Sequence, residues 1–154
     1  MKKTTNLEKT SRFISTCAIV SMLFLFVNCE TEDIVTDGDL PQSAQQFLTA
    51  HFPEETIAQV VKDKEWNSTQ YEVILSNAAN LDFNKQGNCT SMESHDIPLP
   101  NSAIPAPILE YLEKEYSNAA IVEWDLDEKG QVVELDNGLE FLFDQEGNFL
   151  RFDD

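Results

Sequence analysis

The sequence predicts an α+β fold of two tandem units, each a helix followed by a four-stranded antiparallel β-meander, with the helices packed on one sheet face. Three observations carry this expectation. The chain repeats itself at a nearly constant spacing. Each copy opens on an apolar stripe of helical period. Each copy then continues as short alternating stretches broken by Asn- and Gly-bearing turns.

Residues 1–28 read as a secretion signal. Met1 to Arg12 is basic, and Phe13 to Val27 is an uncharged apolar stretch of 15 residues. That stretch is short for a membrane span and suits a signal-peptide core. The segment Leu25 to Cys29 resembles a lipobox, with Phe26 where Leu is usual and Asn28 where a small residue is usual. Cys29 is therefore the expected lipidation site. The acidic residues Glu30, Glu32 and Asp33 continue into a stretch without periodicity, and residues 29–39 are expected to form a flexible acidic tether. With Cys17 in the signal and Cys29 lipidated, Cys89 stands alone and no internal disulfide is available.

The two copies align with a single change of length. Leu40-Pro41 falls on Ile104-Pro105, Phe47-Leu48 on Tyr111-Leu112, Phe52 on Tyr116, Ile57 on Ile121 and Val60 on Trp124, all at an offset of 64. Beyond the loop near Trp66 the offset becomes 60, and Val73, Leu75, Leu81 and Phe83 fall on Val133, Leu135, Phe141 and Phe143. This defines unit 1 as 40–94, a proline-bearing linker as 95–103 and unit 2 as 104–154.

In unit 1 the helix runs from Pro41 to about His51, with Ala44, Phe47, Leu48 and Phe52 as its apolar stripe, and Pro53 ends it. In unit 2 Pro105 and Pro107 suit the helix start, and Ile108, Leu109, Leu112 and Tyr116 form the stripe. Four strands follow, at about 120–127, 131–136, 139–144 and 148–153. The hairpin at Asp136-Asn137-Gly138 admits two registers. Only a three-residue loop with a left-handed Gly138 sets Leu135 opposite Leu139 and Val133 opposite Phe141, pairing apolar with apolar. Likewise Phe143 is expected opposite Phe149. The core face then reads Val133, Leu135, Leu139, Phe141, Phe143 and Phe149, matched in unit 1 by Val73, Leu75, Ala79, Leu81, Phe83 and Cys89. Cys89 is thus expected to be a buried small hydrophobe. Ala78 replaces Gly138, and an alanine resists the left-handed conformation, so the first hairpin is expected to turn differently.

A doubled helix and meander behind a lipoprotein signal resembles the PepSY-like, β-lactamase-inhibitor-like family of exported bacterial proteins. The resemblance rests on Leu40, Pro41, Ala44, Phe47, Leu48, His51, Phe52 and Pro53, then Val61 to Glu65 and Tyr71 to Val73. In the second half it rests on Ile104, Pro105, Ile108, Val133 to Gly138, Phe143, Asp144, Gly147 and Phe149. It implies two helices against a continuous or split antiparallel sheet, a binding or inhibitory role and no catalytic residues.

Charge narrows the partners. Lysine and arginine number 10 against 28 acids, and only 6 bases face 27 acids once residues 1–28 are set aside. Such a surface repels phosphate backbones, which excludes nucleic acid as the expected partner, and it disfavours adsorption to anionic lipid. No Cys/His cluster has zinc spacing and no Gly-rich phosphate loop exists. His51 and His95 belong to no nucleophile-base pattern. Asp125, Asp127 and Gly130 match the start of a calcium loop, but Lys129 takes a ligand position and strands flank it, so a hairpin turn is the expectation. No cofactor and no enzymatic activity are expected.

The remaining feature is the sheet face away from the helices, read as Trp124, Val132, Glu134, Glu140, Leu142, Leu150 and Phe152, with Glu72, Ile74, Asp82 and Trp66 in unit 1. A mixed acidic and apolar face without cover is a candidate protein-docking surface. The expected function is an exported, lipid-anchored binding or inhibitor-like module. It would sit in the periplasm or on the outer membrane and dock an envelope or extracellular protein, either basic or a peptidase. The alternative is a cation-binding or structural envelope protein.

Overall fold

The structure is a computed structural model that describes residues 31–64, 69–95 and 97–153. The signal segment, Cys29 and Trp66 lie outside the described residues. The strands are β1 (Thr31–Val35), β2 (Ile57–Lys64), β3 (Thr69–Leu75), β4 (Asn80–Asn84), β5 (Cys89–Glu93), β6 (Ile121–Leu126), β7 (Gln131–Leu135), β8 (Glu140–Phe143) and β9 (Phe149–Asp153). Two helices, α1 (Gln42–His51) and α2 (Ala106–Glu115), precede β2 and β6. Short 3-10 turns at Asp37–Asp39 and Asn101–Ala103 lead into them.

Both helices start on prolines, Pro41 and Pro105, whose restricted φ suits entry into a helix. Ala44 and Leu48 are the buried residues of α1, and Ile108 and Leu112 those of α2. Phe47 meets the edge of Phe83 at 5.7 Å and Tyr111 meets Phe143 at the same distance, so the helices cover one face of the sheet.

The tandem α+β architecture needs correction. The nine strands form one antiparallel sheet in chain order, and the molecule is mostly β with only two helices among the described residues. The join is made by β5 and β6, where Ser91 pairs with Asp125, Met92 with Trp124 and Glu93 with Glu123. Two separate meanders would each leave an open edge, and pairing them removes both. The tether is also corrected. Residues 31–35 form β1 on the outer edge of β2, with Val35 opposite Val60 and Ile34 opposite Val61. Lys64 reinforces the strand with an ion pair to Asp33 at 3.1 Å. Val35 thus does for the first half what Met92 does for the second.

One row of cross-strand partners runs the full width of the sheet on the helix side: Val35, Val60, Val73, Leu81, Met92, Trp124, Val133, Phe141 and Phe152. Its seven inner members, from Val60 to Phe141, are all buried. Cys89 lies opposite Phe83 and is buried, as its repeat position requires. The register Val133–Phe141 and the left-handed Gly138 (φ 78°) are as the pairing argument expects.

The first hairpin does not turn differently. Ala78 takes φ 64°, and its N–H bonds the Leu75 carbonyl as the Gly138 N–H bonds Leu135. Burial of Ala79 and the Val73–Leu81 pair hold the same register, and the Asn77 carboxamide accepts the Ala79 N–H at 3.0 Å. Tertiary pairing outweighs the local steric cost there, about 1–2 kcal/mol.

Candidate functional site

Strand residues alternate between faces, so the register also defines what the uncovered side presents. Glu93, Glu123, Glu134 and Glu140 are consecutive partners on β5, β6, β7 and β8. One row further along the strands stand Glu72, Asp82, Ser91, Asp125, Val132 and Leu142. The result is an acidic ladder bordered at its β7–β8 end by Val132 and Leu142, which are half-buried. No described element lies over it.

Like charges directly opposite on neighbouring strands oppose pairing, and they act on one another's protonation. Glu123 is raised above its ordinary value by partial burial and by Glu93, Glu134, Asp125 and Glu140 around it. Asp82 is raised by burial and by Glu72 and Asp125, and Asp125 by burial and Asp127. Asn80 donates to Glu72 at 2.9 Å, and His95 lies 3.3 Å from Glu93. Glu93, His95, Glu123 and Glu134 border a hollow of about 330 Å³ at the junction of the two halves.

The expected face residues divide. Val132, Glu134, Glu140 and Leu142 stand on this side. Trp124 does not: it is 5% exposed in the core row, with its indole N–H donating to the buried Gln131 carboxamide at 2.9 Å. Phe152 also stands on the helix side, opposite Phe141, with Tyr116 and Phe149 against it. The cause is a bulge between Leu142 and Phe143, which inserts Leu150 and shifts the alternation by one. Leu150 sits in that bulge and is 53% exposed. Unit 1 carries the same irregularity between Asp82 and Phe83, and Met92 there corresponds to Phe152. Glu93 and Glu123 escaped the sequence reading because they enter the face only through the β5–β6 pairing.

The suspected calcium loop is a turn. Asp127 accepts the Lys129 and Gly130 N–H groups at 2.7 and 3.1 Å, while Asp125 belongs to the sheet face. Among the described residues no group of three His, Cys, Asp or Glu side chains is placed to hold a metal ion. His51 ends α1, with its Nδ1 3.1 Å from the Ser102 hydroxyl.

Two helices cover one face of a single nine-stranded antiparallel sheet, and the other face carries the acidic ladder. Residues 69–151 match the family described as "Putative beta-lactamase-inhibitor-like, PepSY-like", and the chain belongs to that PepSY-like family. A solved structure from Bacteroides thetaiotaomicron, described as a "putative calcium-regulated periplasmic protein", is similar at 29% identity and TM-score 0.75, covering 80% of this chain and 97% of its own. A solved structure from Bacteroides vulgatus, described as a "putative periplasmic protein of unknown function", is similar at 29% identity and TM-score 0.74, covering 80% of this chain and 100% of its own. Both descriptions are periplasmic, which agrees with an exported location for this chain. No curated protein matches the sequence. The family's description is inhibitor-like and names no catalytic activity.

Proposed function

We propose that this chain is a non-catalytic binding module of the cell envelope, held to the membrane through lipid on Cys29, that docks a basic protein on its open sheet face. The observation that carries the reading is the in-register ladder of Glu93, Glu123, Glu134 and Glu140, left uncovered beside Val132 and Leu142. Keeping four carboxylates in line works against the fold, and a cationic partner would relieve that repulsion. Electrostatic steering of such a partner is strongly salt-dependent.

The test is capture of envelope proteins on the immobilised chain, followed by affinity measurement on the partner recovered. Replacing Glu123, Glu134 and Glu140 by Gln should weaken that affinity and flatten its dependence on salt. A partner held equally by the wild type and the triple variant would rule out this face.

Cation binding is the second reading, favoured by the relative described as calcium-regulated, although the described residues hold no ready-formed set of ligands. Calorimetric titration with calcium separates the two: heat that saturates with calcium and disappears in the triple variant supports the second.

A further inference from the structure

We infer that a cleft on the helix side of the first half binds an extended, apolar peptide segment of a partner, at the place where the second half seats its own linker. The cleft has a volume of about 460 Å³ and a floor of Leu48, Phe52, Ile57 and Leu75. Their repeat counterparts, Leu112, Tyr116, Ile121 and Leu135, line a cleft too, but one of about 210 Å³. The second cleft is smaller because the chain itself enters it. Pro98 and Leu99 form part of its wall, Leu99 is 4% exposed, and the Leu99 N–H donates to the Ile121 carbonyl at 2.8 Å.

The first half has no such insertion among its described residues. There the segment between strand and helix is short, running from Thr36 to Pro41, and it turns at Asp37–Asp39 on the rim. Strand β1 begins to pair with β2 only at Val60, so Ile57 is not covered by β1. Leu48, Phe52 and Leu75 are buried in the first copy, as Leu112 and Leu135 are in the second, and the opening shows at Ile57, which is half-buried where its counterpart Ile121 is buried.

The filled copy specifies the ligand. It is an extended segment that places a leucine-sized side chain on the floor and offers its N–H to the Ile57 carbonyl, with a proline beside it. The carboxylates of Asp37 and Glu55 on the rim favour a neighbouring lysine or arginine. Glu55 is steadied there by the Ser76 hydroxyl, which donates to it. This site is separate from the acidic open face and does not depend on its role.

The probe is an acetylated, amidated peptide that copies residues 97–100 and adds a lysine, titrated into the mature chain by calorimetry. Saturable one-to-one binding is expected with Kd on the order of 0.1–1 mM, in keeping with so small a contact. Thr49 lines the cleft from an exposed position. Thr49→Trp should fill it and weaken binding roughly tenfold or more, about 1.4 kcal/mol, without lowering Tm. Backbone chemical-shift changes confined to residues 45–57 and 75 provide a second readout, should that variant fold poorly. A peptide with alanine for its leucine should not bind. The Glu123→Gln/Glu134→Gln variant should bind like the wild type. Absence of saturation up to millimolar peptide, shift changes elsewhere, or loss of binding in the open-face variant instead would overturn the inference.

Discussion

Glu123 and Glu134 face each other across β6 and β7 on the uncovered side of the sheet, with Glu93 and Glu140 next in the same line. Partial burial and these neighbours raise Glu123 above its ordinary value. A carboxyl raised in the folded state binds protons more readily there than in the unfolded chain, so its contribution to stability falls as pH rises through its folded pKa. Glu123→Gln should therefore stabilise the protein at pH 7, by about 0.5 kcal/mol as for a cross-strand charge pair. The advantage should shrink as pH falls toward 4. Paired thermal melts of the two proteins across that range check this, and an advantage that grows in acid would contradict the assignment.

Ala78 and Gly138 occupy equivalent left-handed positions, φ 64° and 78°. A Cβ at Gly138 would meet nothing within 4 Å, so backbone conformation alone sets the cost there. Ala78→Gly should stabilise by about 0.5–1 kcal/mol and Gly138→Ala should destabilise by a similar amount. Urea titrations of both variants give the two values directly.

Cys89 is buried, and desolvation pushes its thiol up to about 12. The reactive species is the thiolate. A disulfide reagent at pH 8 should modify the native protein slowly and the urea-unfolded protein at once. Rapid native labelling would mean that β5 does not hold the register described.

Three aromatic and aliphatic truncations should rank by position. Phe143→Ala opens a cavity in the core and should cost about 3–5 kcal/mol. Leu142→Ala, on the open face, should cost less than about 1 kcal/mol. Phe152 is 44% exposed but packs on Phe141 and Phe149, and its loss should cost about 1–2 kcal/mol, between the two. Equal losses for Leu142→Ala and Phe143→Ala would mean that both faces are covered.

For the anchor, cells expressing the chain and fed a labelled fatty acid should incorporate label into the wild type and not into Cys29→Ala. Several acyl chains are needed for firm attachment, because one holds only marginally. Equal labelling of both proteins would remove the lipid from the proposal.

Much of the local structure was legible in the residues. The two helices, the hairpin at Asp136-Asn137-Gly138 and burial of Cys89 follow from short-range rules: apolar period, turn chemistry and apolar pairing across a tight loop. These are properties of contiguous segments, where a wrong register exposes several large side chains at once. What only the tertiary structure decided involves strands whose partners lie far along the chain or whose alternation breaks. Ser91, Met92 and Glu93 carry no local mark of pairing with residues 123–125, and Ile34 and Val35 none of joining β2. Phe152 changed sides because one extra residue at Leu150 inverts everything after it. The acidic ladder is therefore a tertiary feature: its glutamates are ordinary in sequence, and they become a line only when β5 and β6 close two meanders into one sheet.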